Sequence, residues 1–401
     1  MKRCILFVFV ALLVLGPRSN SAQVRIVKSA GAAVGVDLSG VKAIGAAAQK
    51  ARRTLELDLS RSGWMKLAAP GQAAIFVRGN IAETNGKVAF TCSVTDATGR
   101  VYLNAAYAQP AAQAVQLAHQ AANDVVVKTT GKPTFFLAKL ALIGVSGNAK
   151  ELFQADSSAQ EIRPVTQDRT ISLKPRWSPD NRLISYTSYL QRYPDVYTID
   201  VATGRRTRVS FYPGVNSGGA IAPNGRSMAL ILSKDGNPEL YVKDLPTGRL
   251  TRLTTTPHAD EGSPSWSPDG NRIVYVSNAS RTPQLYVVSS AGGPPQQLTT
   301  RGSQNVAPDW GANGLIAYQT LSGNKFQIAV MDPATQQAMT ITPHDASYED
   351  PSWAPDGRHL AAARAVGYDY SVYLLDYMAE LGDKPVPLTT AGEWTAPAWS
   401  R

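Results

Sequence analysis

The chain has 401 residues, 44% hydrophobic and 17% charged, with a formal net charge of +10 at pH 7. This is ordinary globular composition, and the length exceeds what one core usually serves, so more than one domain is expected. Of the two cysteines, Cys4 falls in a leader, which leaves Cys92 alone and excludes an internal disulfide.

Residues 1–22 read as a secretory signal. Lys2 and Arg3 form the charged start, Ile5 to Leu15 the apolar stretch, Gly16-Pro17 the breaker, and Ser19, Ser21 and Ala22 the small residues before cleavage. The apolar stretch is too short to span a bilayer. Cleavage after Ser21 fits the small-x-small rule. The basic character lies in residues 23–131, which hold 12 Lys/Arg against 6 Asp/Glu, while residues 132–401 hold 25 against 24. Export and the lack of an aromatic-interleaved basic motif argue against nucleic acid as a partner.

Residues 23–131 predict a small α+β domain. Val24-Arg-Ile-Val27 is β-prone, and Ala33-Val-Gly-Val-Asp37 is strand-like. Residues 43–60 predict a helix with Ile44, Ala48, Ala51, Leu55 and Leu59 near one face. Strands follow at Ala74 to Ile81, Lys87 to Thr95 and Val101 to Tyr107, with Cys92 on an apolar face beside Val88, Phe90 and Val94. A second helix from Ala111 to Val127 places Val115, Ala118, Ala122 and Val125 against that sheet. Thr130-Gly-Lys-Pro133 is the expected linker.

From residue 134 to 401 the sequence repeats. The motif Ser263-Pro-Ser-Trp-Ser-Pro-Asp-Gly270 has equivalents whose anchors fall at Trp177, Ile221, Trp266, Trp310, Trp353 and Trp399, at intervals of 44, 45, 44, 43 and 46 residues. Pro presets a turn, Asp follows, and Gly takes the left-handed position, with Asn181 as its substitute in Pro179-Asp180-Asn181. Each unit adds two further strand-like runs and ends in Leu-Thr or a variant, as at Leu253-Thr254 and Leu298-Thr299. Four strands every 44 residues or so predict the blades of a propeller. Residues 134–166 supply three strands with no anchor before them, and Ala396-Pro-Ala-Trp399 is an anchor with no blade after it. The last strand is therefore expected to become the inner strand of the first blade. The fold class is a small α+β N-terminal domain followed by an all-β six-bladed β-propeller closed by the C-terminal strand.

The signal, the segment Val24-Arg-Ile-Val27, the small α+β domain and six W-S-P-D-G repeats ending in Pro397-Ala-Trp-Ser400 resemble the TolB family. That family is the periplasmic component of the Tol-Pal system of Gram-negative bacteria, and the resemblance covers the mature chain. It implies cleavage after Ala22, a periplasmic location and a monomeric, non-enzymatic scaffold without cofactor or metal. It also implies a link between the lipoprotein Pal, at the outer membrane and peptidoglycan, and a TolA-like inner-membrane protein, in support of envelope integrity and cell division. The loops entering the inner strands then assign Pal contact to Asn216, His258, Asp260, Glu261, Gln304, Tyr348 and Glu349. The N-terminal segment assigns TolA contact to Val24, Arg25, Ile26 and Val27. Two anchors depart from the pattern, Ala220-Ile-Ala-Pro-Asn-Gly225 and Asp309-Trp-Gly-Ala-Asn-Gly314. The residues after Val27, Lys-Ser-Ala-Gly, lack the acidic residues of the family's TolA-contacting segment.

For chemistry of its own the chain offers little. It carries no G-x-S-x-G, H-E-x-x-H or Walker A motif and no Cys/His cluster of zinc spacing. His258 with Asp260 and Glu261, and His344 with Asp345, Glu349 and Asp350, precede inner strands at comparable offsets. The alternative reading is a secreted propeller enzyme, a polysaccharide lyase or peptidase-like protein, with a site in the central channel.

Overall fold

The computed structural model describes residues 33–379 and 384–401. The expected signal and the segment Val24 to Val27 lie outside the described residues.

The N-terminal domain is a five-stranded sheet covered by two helices. Its strands are β1 (Val34–Ile44), β2 (Met65–Leu67), β3 (Ile75–Thr84), β4 (Lys87–Asp96) and β5 (Val101–Pro110), in the order β2-β1-β3-β4-β5. β1 runs parallel to both neighbours, and β3, β4 and β5 form an antiparallel meander. α1 (Ala46–Arg61) starts three residues past the expected residue 43. β1 continues to Ile44, and Gly45, at φ 101, turns the chain in a conformation that a side chain would resist. Ile44 is consequently exposed at a strand end, and the buried stripe of α1 is Ala48, Ala51, Leu55 and Leu59. Ser62 stops the helix: its hydroxyl donates to Leu59 O and accepts the N–H groups of Trp64 and Met65. α2 (Ala114–Thr130) buries Val115, Ala118, Ala122 and Val125 and ends where Gly131 adopts a left-handed conformation. The three-residue β2 is too short to show a period in the sequence.

The remaining chain forms six four-stranded sheets. The second to sixth blades begin with inner strands Ser172–Trp177, Asn216–Ile221, Glu261–Trp266, Asn305–Trp310 and Ser347–Trp353. In the first blade, Trp394–Trp399 pairs antiparallel with Lys139–Ser146, Trp394 opposite Gly144 and Trp399 opposite Leu140. The C-terminal strand thus closes the ring and leaves the inner strand of no blade missing.

Local chemistry explains the repeat. In the turn after Trp266, the Ser267 carbonyl accepts the Gly270 N–H and the Ser267 hydroxyl donates to Asp269, with Gly270 at φ 71. Asn181 takes the same left-handed position at φ 57. At the other end of five of the six blades, the Leu-Thr pair or its variant ties the outer strand to its neighbour. The hydroxyls of Thr166, Thr254, Thr299, Thr342 and Thr389 accept the N–H groups of Leu152, Leu240, Leu285, Ile328 and Val372 at 2.8–3.0 Å. The anchors join blades. The Trp177 indole N–H donates to Ala398 O at 3.1 Å, and that of Trp266 to Ala220 O at 2.8 Å.

The propeller has two unlike faces. One carries the W-S-P-D-G turns together with the turns between third and fourth strands. The N-terminal domain sits here, over the first and sixth blades. Arg61 donates to Pro387 O at 2.9 Å, Lys50 pairs with Glu161 at 2.8 Å, and the Arg358 guanidinium lies 4.2 Å from the Trp64 ring centroid. Phe135, turned inward before the first blade strand, lies 5.4 Å from the ring of Trp399 and 4.8 Å from that of His359. The opposite face carries the loops entering the inner strands and the hairpins between second and third strands.

Candidate protein-binding face

All six inner strands are shaped alike. Three residues before each anchor a residue has positive φ, namely Lys174, Gly218, Ser263, Ala307, Asp350 and Ala396, and in each strand the register with the second strand shifts at this point. These bulges bend the strands around the axis and bring residues 174–175, 263–264, 350–351 and 396–397 to the narrowest part of the channel, a space of about 40 Å³. On the turn side the channel widens to about 200 Å³ between the anchor residues.

The residue just before each anchor points along this channel. At those positions stand Arg176, Ala220, Ser265, Asp309, Ser352 and Ala398, and all six line the wider space. Arg176 Nη1 reaches Asp309 Oδ1 at 2.9 Å, joining the second blade to the fifth, directly across the ring. Asp309 Oδ2 also accepts the Trp353 N–H at 2.7 Å, while Ser265 and Ser352 accept the N–H groups of Trp310 and Trp399, each at 3.0 Å. The axis is occupied by an ion pair knit into the blade seams.

The loop face is free of the N-terminal domain, and the sequence-derived contact residues lie on it or beneath it. His258 and Asp260 are exposed, and Gln304 and Glu349 are half-buried. Asn216, Glu261 and Tyr348 are buried, which corrects their assignment as contact side chains. Asn216 Oδ1 accepts from Ser210 Oγ and the Tyr212 N–H, both at 2.8 Å, and its Nδ2 donates to Tyr212 O, so it folds the loop from within. The Tyr348 hydroxyl donates to Asp345 at 3.1 Å beneath Arg364. Each is the first residue of an inner strand or immediately follows it, where the chain turns inward under the loop. Burial raises the Glu349 carboxyl, and the Asp350 charge adds to this. His258 and His344 are exposed in their loops. Among the described residues, no three His, Cys, Asp or Glu side chains are grouped so as to hold a metal ion.

Sequence reasoning on polar loops passed over the apolar residues of this face. Of the exposed large apolar side chains among the described propeller residues, all but Leu137 and Val386 lie here: Tyr193 at 73% and Phe211 at 58% exposure, with Ile171, Tyr189, Leu190 and Val215 around the second blade. Tyr368, at 94%, and Val366 extend the arc to the sixth blade, and Val145 to the first. Ile171 and Tyr189 are neighbours, the Tyr189 N–H donating to Ile171 O at 3.0 Å. Arg169, Arg192, Arg281 and Arg301 are exposed on the same face. Exposed apolar side chains gathered on one face beside cations are what protein recognition uses. The signal was present in Tyr189-Leu-Gln-Arg-Tyr193, a hairpin with three large apolar residues where the third blade has Ser233-Lys-Asp-Gly-Asn237.

The sequence model of the TolB beta propeller domain matches residues 126–401. The chain belongs to the TolB family. It is 33% identical over 301 residues to the Tol-Pal system protein TolB of Francisella tularensis subsp. tularensis, an alignment that covers 71% of this chain and 68% of that one. The subspecies mediasiatica protein matches to the same extent. Among solved structures, TolB from Acinetobacter baumannii superposes with a TM-score of 0.80 at 24% identity, covering 92% of this chain and 96% of that one. A chain of a nidogen/laminin complex shares the propeller fold, with a TM-score of 0.54 at 10% identity over 66% of this chain and 98% of its own. The first of these structural matches spans the N-terminal domain as well as the blades. No helix among the described residues is long and apolar enough to cross a membrane.

Proposed function

We propose that this TolB-family chain is a non-enzymatic periplasmic scaffold that takes up Pal on the loop face of its propeller and a TolA-like inner-membrane protein through the segment Val24 to Val27. The observation that carries the reading is the gathering of exposed apolar and basic side chains on the one propeller face that the N-terminal domain leaves open. The contact set becomes Tyr193, Phe211, His258, Asp260, Gln304 and Glu349, with Asn216, Glu261 and Tyr348 holding the loops in place. The secreted-enzyme alternative needs the channel, and there Arg176 and Asp309 occupy the axis.

Titration of the purified protein against the soluble domain of Pal from the same organism tests this. Saturable binding that is weakened by Tyr193→Ala and Phe211→Ala supports the reading, and no binding refutes it. Removal of residues 23–28 is expected to abolish capture of the TolA-like protein and leave Pal binding intact.

A further inference from the structure

The seam between the third and fourth blades has a near copy one blade further on. At the later seam, Asn305 donates its backbone N–H to Pro283 O at 2.9 Å and its amide Nδ2–H to Gln284 Oε1 at 2.8 Å. Thr299 donates its hydroxyl to the same oxygen at 2.7 Å. At the earlier seam the same places are held by Glu261, Pro238, Glu239 and Thr254. The Glu261 N–H donates to Pro238 O at 2.9 Å, and Thr254 accepts the Leu240 N–H as Thr299 accepts that of Leu285. A pair of amides is thus replaced by a pair of carboxylates.

Both carboxylates are buried, Glu261 at 5% and Glu239 at 1% exposure. Glu239 Oε1 is well supplied, accepting from Arg252 Nη2 at 2.9 Å and from the Thr256 N–H at 2.6 Å. Its Oε2 has no hydrogen-bond partner, and neither has either oxygen of Glu261. Buried polar atoms are rarely left so, and unpaired charges still more rarely. Asn305 solves the same problem by donating an amide N–H, which a carboxylate lacks and a carboxylic acid regains as one O–H.

We propose that Glu261 and Glu239 share a single proton across this seam, with the Glu261 carboxylic acid donating to Glu239 Oε2, and that its loss loosens the loop over residues 255–260. The groups acting on Glu261 are Glu239 from the third blade, whose other oxygen holds Arg252; Thr256 and Asp260 from the loop; and Tyr275 and Ser277 from the next strand. Burial is the largest influence and pushes Glu261 up, the Ser277 and Thr256 hydroxyls, near it but outside hydrogen-bond geometry, pull it down, and the Glu239 and Asp260 charges push it up again, to about 7. The loop is tied to the same spot. Asn237 Nδ2 donates to Thr256 O at 3.0 Å and to Ala259 O, and the Thr256 N–H is held by Glu239. Ionisation of Glu261 sets two buried negative charges side by side beneath these contacts, with one guanidinium to serve both. The inference concerns the propeller itself and stands whether or not Pal is what the loop face binds.

The test compares wild type with Glu261→Gln, a permanently neutral side chain of the same shape, by thermal unfolding from pH 4 to 9 and by hydrogen exchange of residues 255–263. The folded chain keeps the proton up to about 7, whereas the unfolded chain loses it near 4.5. Unfolding of wild type therefore releases a proton in that window, and its stability falls there as the pH rises. The expected result is a Tm of wild type that drops relative to Glu261→Gln between those values and runs parallel above them, with faster exchange of 255–263 in wild type alone at high pH. Glu239→Gln should remove the slope too, because its amide donates to an ionised Glu261. Parallel Tm curves for wild type and Glu261→Gln across the whole range overturn the proposal. So does a rise in wild-type Tm with millimolar Ca²⁺ or Mg²⁺ at pH 8 that Glu261→Gln does not share, since the pair would then hold a cation.

Discussion

Arg176 and Asp309 are 133 positions apart in the chain and meet across the propeller axis at 2.9 Å. Neither is free to leave. Asp309 also holds the Trp353 N–H, and the Arg176 side chain is enclosed by the anchors around it. The pair ties opposite blades together directly, across the axis. Asp309→Ala removes the partner of a part-buried guanidinium and of a buried N–H, and is expected to cost about 3 kcal/mol. Chemical denaturation of Asp309→Ala, Arg176→Met and the double variant measures this, with a coupling energy above about 1 kcal/mol expected. A coupling near zero would mean that the two side chains act independently.

His119 joins the two domains. Its Nδ1 lies 2.6 Å from Asp58 in α1 and its Nε2 3.1 Å from Asp156 of the first blade. Burial disfavours the imidazolium, yet the Asp58 and Asp156 carboxylates outweigh it and raise His119 from 6.5 to about 9. A raised histidine stabilises the fold fully below the unfolded value and loses that contribution as the pH climbs through the folded one. His119→Gln is therefore expected to cost about 3 kcal/mol at pH 6 and much less at pH 9.5, read from denaturant midpoints. The same loss at both pH values would assign His119 a packing role alone.

Deleting residues 396–401 removes most of the strand that closes the ring. Trp399 is buried against Phe135, and its N–H is held by Ser352. Loss of that side chain alone is worth about 3–5 kcal/mol, and the strand Lys139–Ser146 is left with an open edge. A lower Tm and concentration-dependent light scattering are expected. A truncated protein that melts and stays monomeric like the full chain contradicts the closure.

On the loop face, Tyr193→Ala and Phe211→Ala are expected to weaken Pal binding by about 2 kcal/mol each without lowering Tm, as exposed aromatic anchors do. Arg249→Ala, on the opposite face, is the control. Glu261→Lys would be a poor probe of contact, because it places a cation in a buried seam and disturbs the fold before it disturbs binding. Equal binding losses from both faces would argue against the assignment.

The order of the parts was legible in the chain because turn chemistry and period are local properties. The Pro-Asp-Gly turns, the left-handed Asn181 and the Leu-Thr pairs each act within a blade, and a blade is about 44 residues long. The terminal anchor without a blade after it even disclosed the ring closure. The first helix begins three residues later than its pattern suggests, since an apolar residue at a strand end, Ile44, fits a helical stripe equally well. What the sequence could not order was whatever depends on closing the ring and seating the domain. Asn216, Glu261 and Tyr348 look like loop residues in a linear reading, and only the inward turn of each inner strand buries them. Arg176 meets Asp309, and His119 reaches Asp156, because six bent sheets bring distant residues to one axis and one seam, and no periodicity along the chain encodes a distance across it.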